Sequence, residues 1–256
     1  MKKLIIFDLD GTLAPSKSPL EKDMGEWLGK LLDVCRVAVI SGGAWPQFQK
    51  QLLARLPGDD RLKRLSLLPT SGTRFLSYED NQWRQLYAED FTQDEKTRIV
   101  KALNDVFQAS GFVPAHHWGE IIEDRGSQIT LSALGQEAPL DQKKNWDPDF
   151  SKRKAMKAKL EPLLSDFSIG MGGSSSIDIT RPGVDKAYGI GKLKSVLGIG
   201  IPQMLFLGDA LFEGGNDYPA RSTGVDCIQV AGPSETQKAV EAIVACQKDP
   251  GKGAGG

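Results

Sequence analysis

The chain is poor in the residues that staple or metallate small proteins: three cysteines and two histidines in 256 residues. Cys35, Cys227 and Cys246 have no metal-ligand spacing, and an odd count argues against a disulfide framework, so a reducing cytoplasm is the expected setting. His116 and His117 are adjacent, and neighbouring side chains on a strand point apart, so the pair is not read as a metal site. Long apolar runs are missing as well. None approaches the ~20 residues of a membrane span, and Lys2-Lys3 before Leu4 to Phe7 imitates a signal peptide whose apolar part is too short. Nor does either charge dominate: Lys+Arg 32 against Asp+Glu 33 leaves a net charge of -1. Neither a nucleic-acid nor a membrane partner is therefore expected. The length suits one large domain or two small ones. The tail at 249–256 is Gly-rich and expected to be disordered.

What is present starts at the N-terminus. The short apolar run Leu4-Ile5-Ile6-Phe7 leads directly into Asp8-Leu9-Asp10-Gly11-Thr12. A run this short, ended by glycine, reads as a buried strand. Alternation along a strand sends Asp8 and Asp10 to the same side at its carboxyl end. Like charges held there call for a cation or a chemical task. In an open α/β sheet that end is where ligands bind.

Four more apolar runs, Val37–Ile40, Leu65–Leu68, Met204–Leu207 and Cys227–Val230, alternate with helical patterns such as Met24 to Leu32 and Pro46 to Leu56. This alternation predicts an α/β fold with a doubly wound parallel sheet. The middle of the chain differs. Thr92 with Glu95 makes a capping box for a helix with the stripe Ile99, Leu103, Val106 and Phe107. Strands are expected at Glu120–Glu123, Gln128–Leu131 and Ser176 to Thr180, and a Lys-rich helix from Ser151 to about Leu164. That helix would bury Met156, Leu160, Leu163 and Leu164, with Pro162 kinking or dividing it. The pattern predicts an α+β insert, an antiparallel sheet covered by two helices, at 83–183 within a core domain of 1–82 and 184–248.

Further polar groups cluster at strand ends. Gly208-Asp209 to Gly215-Asn216-Asp217 follows Met204–Leu207 and adds carboxylates of the kind that hold Mg²⁺. Ser41, before Gly42-Gly43, reads as a turn serine by itself, or as a holder of phosphoryl oxygens beside exposed N–H groups. Lys186 reads as a solvated lysine by itself, or as the cation that phosphoryl transfer requires beside two carboxylates. The lysines at 143, 144, 152, 154, 157 and 159 fit a solvated helix face better than a phosphate funnel.

Together these segments resemble the haloacid dehalogenase (HAD) superfamily of aspartate-based phosphotransferases. Asp8 to Thr12 is similar to its first motif, Ser41 to its second, Lys186 to its third and Gly208 to Asp217 to its fourth. Within subfamily IIB the resemblance is closest to eukaryotic-type phosphomannomutases. Gly214-Gly215-Asn216-Asp217 and Gly183-Val184-Asp185-Lys186 are similar to that family's forms. So is Gly172-Gly173-Ser174-Ser175-Ser176-Ile177-Asp178-Ile179, and Glu123-Asp124-Arg125-Gly126 resembles its arginine-bearing Glu-Phe-Arg-Asn-Gly.

The resemblance implies a HAD core with a cap of the C2B kind. Asp8 is then the nucleophile and Asp10 the acid and base. Thr12, Ser41 and Lys186 hold the phosphoryl group. Mg²⁺ sits on Asp8, Asp10 through its carbonyl, and Asp209, with Asn216 or Asp217 in support. Arg125, Gln136, Lys143, Ser176 and Asp178 face a sugar phosphate, and the family admits a homodimer through the cap.

The departures set the expected reaction. Gln136 stands where the family's Ser-Pro-Ile-Gly-Arg has arginine, Lys143 where the next arginine falls, and Lys17 after the first motif. Lysine keeps the charge but loses the bidentate fork, and glutamine loses the charge. Because a mutase must hold either phosphate of a hexose bisphosphate, hydrolysis of a sugar phosphate is the first expectation and a hexose-phosphate mutase the alternative. A non-catalytic sugar-phosphate-binding protein is the remote one, disfavoured by intact Asp8, Asp10, Lys186 and Asp209.

Overall fold

The computed structural model describes residues 1–248, so the expected disorder of the tail falls outside the described residues. In chain order the elements are β1 (Leu4–Phe7), α1 (Lys22–Val34), β2 (Arg36–Ile40), α2 (Trp45–Gln51), β3 (Leu65–Leu68), β4 (Arg74–Glu79), β5 (Gln82–Ala88), α3 (Gln93–Gln108), β6 (Ile122–Asp124), β7 (Gln128–Ser132), α4 (Leu140–Trp146), α5 (Ser151–Leu160), β8 (Ser168–Gly172), β9 (Ser176–Thr180), α6 (Lys186–Leu197), β10 (Met204–Gly208), α7 (Pro219–Ser222), β11 (Asp226–Gln229) and α8 (Pro233–Lys248). They form two compact units, Glu89–Val184 and the remainder on either side of it.

The first unit is a seven-stranded sheet in the order β11-β10-β1-β2-β3-β4-β5. Its first five members are parallel, and all five are the apolar runs of the sequence. Alternation sorts β1 onto two faces. Ile5 and Phe7 pack with Leu28 and Leu31 of α1 and Val240 and Val244 of α8. Leu4 and Ile6 pack with Ile190 and Leu193 of α6. Helices on both faces are what a doubly wound sheet requires.

Two strands go beyond expectation. β4 is antiparallel to β3, and β5 to β4. Their turn, Asp80-Asn81, has positive φ at both residues, the geometry that matches strand twist in a tight hairpin. Gln82 to Ala88 is largely exposed at the sheet edge, so it lacks the apolar run that marked the other strands. The unit boundary therefore lies at Ala88/Glu89, not after residue 82, which would cut β5 from its partner.

The second unit is a four-stranded antiparallel sheet in the order β6-β7-β9-β8. β8 escapes the sequence pattern because two of its five residues are glycine. Ile129, Leu131, Ile169, Ile177 and Ile179 form the apolar face, packed on Ile99, Leu103 and Phe107 of α3 and Met156 and Leu160 of α5. The capping box forms as read: Thr92 Oγ1 accepts from Glu95 N, and Glu95 Oε2 accepts from Thr92 N. One expectation fails. α5 stops at Leu160, ahead of Pro162, and Leu163 is 52% exposed while Leu164 is fully buried. Glu161 keeps a helical backbone, but Pro162 has no N–H to continue the ladder, so the helix ends there and the stripe loses its register.

Candidate functional site

The sheet delivers the key groups to one place. Asp8 follows β1 and is buried. Lys186 opens α6, whose N-cap Asp185 accepts from Tyr188 N at 3.0 Å. α6 can lie close because glycines meet: a Cβ on Gly72 would sit 2.7 Å from Gly189 Cα. The Lys186 ammonium donates to Asp8 Oδ1 and to the Ile40 carbonyl, at the end of β2. It also lies 3.4 Å from Asp217 Oδ1. Asp209, beyond β10, accepts from Thr12 Oγ1 at 3.0 Å. Ser41, next after β2, is buried and accepts from Gly43 N at 3.1 Å.

Three carboxylates share one ammonium here. Burial pushes the Asp8 carboxyl up to about 7, against the pull of Lys186 and with help from Asp217 and Asp10. Burial also raises Asp209, opposed by the Thr12 hydroxyl and reinforced by Asp217. Burial would lower Lys186, but Asp8 and Asp217 override it and hold the ammonium above its ordinary range. The site is thus short of positive charge.

Asp8, Asp209 and Asp217 each offer an oxygen, and these lie within 4.8 Å of one another. Asp217 Oδ1 is buried with only the 3.4 Å ion pair to Lys186 and no well-formed hydrogen bond, while its Oδ2 accepts from Ala210 N at 3.2 Å. Gly11, at φ +90°, passes so close that a Cβ would lie 2.6 Å from Asp209 Oδ2. Hard oxygens, a buried carboxylate oxygen with spare acceptor capacity and a surplus of negative charge fit a divalent cation such as Mg²⁺. Asn216, also expected at the metal, has an exposed side chain.

The Asp10 carboxylate takes no part in that group. Its Oδ1 accepts from Lys17 N at 2.7 Å and from Gln51 Nε2 at 3.1 Å, and its Oδ2 accepts from Gln47 Nε2 at 2.6 Å. Gln47 and Gln51 were not anticipated. Their spacing of four on α2 placed them on one helix face, but nothing local indicated which face met Asp10.

In the second unit the expected residues occupy the polar face of the sheet and the segment after it. Asp178 pairs with Thr130 across β9 and β7, accepting from Thr130 Oγ1 at 2.7 Å. Ser176 Oγ lies 3.4 Å from Ser132 Oγ. Arg125 is held by Glu123 Oε2, at 2.9 Å from Nε and 2.6 Å from Nη2. Lys143, on α4, is mostly buried and donates to the Gln136 carbonyl at 2.8 Å.

Residues 24–246 match the family model described as eukaryotic phosphomannomutase. The chain belongs to that family. A phosphomannomutase of Encephalitozoon cuniculi is 26% identical over 254 residues, covering 94% of this chain and 93% of the relative. Among solved structures, an N-terminally truncated IMP-nucleotidase of Plasmodium falciparum superposes with TM-score 0.69 at 16% identity, over 94% of this chain and 70% of that one. A haloacid dehalogenase-like hydrolase of Bacteroides thetaiotaomicron gives TM-score 0.62 at 14% identity, over 95% of this chain and all of that one. Those two likenesses concern the fold.

Family and fold make the chain a HAD enzyme, a phosphatase or a mutase. The family match begins at residue 24, so it does not itself include Asp8 to Thr12. Expected hydrolysis finds less support than the mutase alternative, because the relatives are named for the mutase. Among the described residues, no helix is long and apolar enough to cross a membrane.

Proposed function

We propose that the chain is a Mg²⁺-dependent hexose-phosphate mutase of the phosphomannomutase type, working through an aspartyl-phosphate on Asp8. The family match, which runs through both units, carries this reading. Asp8 Oδ attacks phosphorus, and the bond to the leaving oxygen breaks as that oxygen takes a proton from Asp10. Lys186, Thr12 and Ser41 hold the phosphoryl oxygens. When bound at Asp8, Asp209, Asp217 and the Asp10 carbonyl, Mg²⁺ supplies positive charge against the developing phosphorane. Ser176 and Asp178 bind sugar hydroxyls, and Arg125 a phosphate.

A second reading, net hydrolysis of the aspartyl-phosphate, is favoured by one observation. Gln136 carries no charge where an arginine would sit, and the Lys143 ammonium is already bonded to the Gln136 carbonyl. A weak hold on the distal phosphate gives water more time at the phosphoenzyme. The deciding experiment supplies mannose 1-phosphate or glucose 1-phosphate with the matching bisphosphate, and measures 6-phosphate isomer against free phosphate. Mostly isomer supports the mutase. Mostly free phosphate supports the phosphatase.

A further inference from the structure

We propose that Gln47 and Gln51, both on α2, are positioning residues that aim the Asp10 carboxylate for proton transfer. The inference rests on the aspartyl-phosphate reading above. Asp10 must face the reacting oxygen yet keep its carboxylate off the cation, and its side chain stands apart from the group formed by Asp8, Asp209 and Asp217. The two glutamine amides and Lys17 N supply three donors to its two oxygens, and they fix the rotamer.

The two amides differ in freedom. Gln51 is 2% exposed and spends both N–H groups of Nε2, on Asp10 Oδ1 and on the Ser18 carbonyl at 2.9 Å. Turning it over would aim its carbonyl at two acceptors, so its orientation is locked. The lock leaves Gln51 Oε1 buried without a donor, a cost tolerated where an orientation is needed. Its main-chain carbonyl also accepts from Leu20 N at 2.8 Å, which fastens the segment after Asp10 to α2.

Gln47 has Asp10 as its side-chain partner among the described residues. It reaches there because residue 43 is glycine: a Cβ on Gly43 would lie 2.4 Å from Gln47 Oε1. A rotatable amide beside a proton carrier can offer N–H to the carboxylate or its carbonyl to the acid. In the second half-reaction a hydroxyl or water oxygen bonds to phosphorus, its proton passes to Asp10, and the bond from phosphorus to Asp8 breaks with its electron pair returning to the Asp8 carboxylate. Misaiming Asp10 slows this step.

The test uses p-nitrophenyl phosphate with the Mg²⁺-loaded enzyme in stopped flow. Its nitrophenolate leaves without a proton, so phosphorylation of Asp8 is insensitive to Asp10, whereas hydrolysis of the phosphoenzyme needs it. Gln47→Met is expected to keep the burst of nitrophenolate within about threefold of the parent while steady-state turnover falls roughly tenfold to a hundredfold. Gln51→Met should do the same. If it fails to fold, Gln47→Met decides. Equal losses in burst and turnover, or no loss in either, would overturn the proposal. If the parent shows no Asp8-dependent turnover of any phosphomonoester, the mutase and phosphatase readings fail first and this inference with them. The unaltered enzyme alone reveals that outcome.

Discussion

At the residue scale the site is a problem of charge. Asp8, Asp209 and Asp217 crowd a buried Lys186 that cannot neutralise them all. Binding a dication to the folded state alone stabilises it by mass action, about 2.7 kcal/mol at a hundredfold excess over Kd. For a chain of this size that is a rise in Tm of several degrees, at roughly 2–4 °C per kcal/mol. We expect Mg²⁺ to raise the Tm of the unaltered protein and to do so far less in Asp209→Asn, read by calorimetry with and without EDTA. An unshifted Tm in the parent would count against the metal site. Asp8→Asn should fold and still lose turnover to background, because an amide is near-isosteric but neither attacks phosphorus nor ligates Mg²⁺ well. Phosphate release together with far-UV circular dichroism checks both halves of that statement.

At the scale of elements, α3 and the segment after α5 show what local sequence can and cannot specify. Glu95 closes the capping box and also pairs with Arg181 at 2.7 Å. The Arg181 hydrogen bond, with that from Thr92 N, lowers its carboxyl from 4.5 to about 2. A carboxylate lowered by folding contributes stability that is present above its unfolded pKa and lost as pH falls through the folded one. Glu95→Gln should therefore be less stable than the parent at neutral pH, with the gap closing between about 4.5 and about 2 in a pH series of urea melts. A gap independent of pH would show that packing, not charge, is at stake. Past the end of α5 at Pro162, two adjacent leucines differ in burial, Leu163 exposed and Leu164 buried. Leu164→Ala should cost about 2–5 kcal/mol, and Leu163→Ala less than about 0.5 kcal/mol. Equal costs by denaturant unfolding would restore the continuous helical stripe.

At the scale of the whole molecule the open issue is partition between isomer and free phosphate. By the resemblance of their segment, Gln136 and Lys143 stand where arginines are expected in the family. The double change Gln136→Arg with Lys143→Arg should raise the ratio of isomer to phosphate, since guanidinium groups bind phosphate bidentately. An unchanged ratio would locate the control of water elsewhere. The same substitutions should leave the Mg²⁺-induced rise in Tm intact, because neither residue belongs to the carboxylate group.

The core strands and the acidic groups at their ends could be read from local pattern alone. Four strands, β1, β2, β3 and β10, announced themselves as apolar runs because strands buried on both faces are apolar nearly throughout, while the edge strand β11 showed only the short run Cys227–Val230. Asp8, Asp209 and Lys186 were legible because each sits where a run ends or a helix begins. The α3 capping box was legible because its hydrogen bonds span only three residues. The rest depends on contacts between distant parts of the chain. The edge hairpin of β4 and β5 is held by pairing with β3, and half its surface meets solvent, so no apolar run betrays it. Leu163 and Leu164 look alike until the chain turns. Gln47 and Gln51 are ordinary helix residues until α2 is laid beside Asp10, 37 and 41 positions earlier in the chain. A hydrogen bond across that separation leaves no local pattern: it depends on where the fold puts both ends.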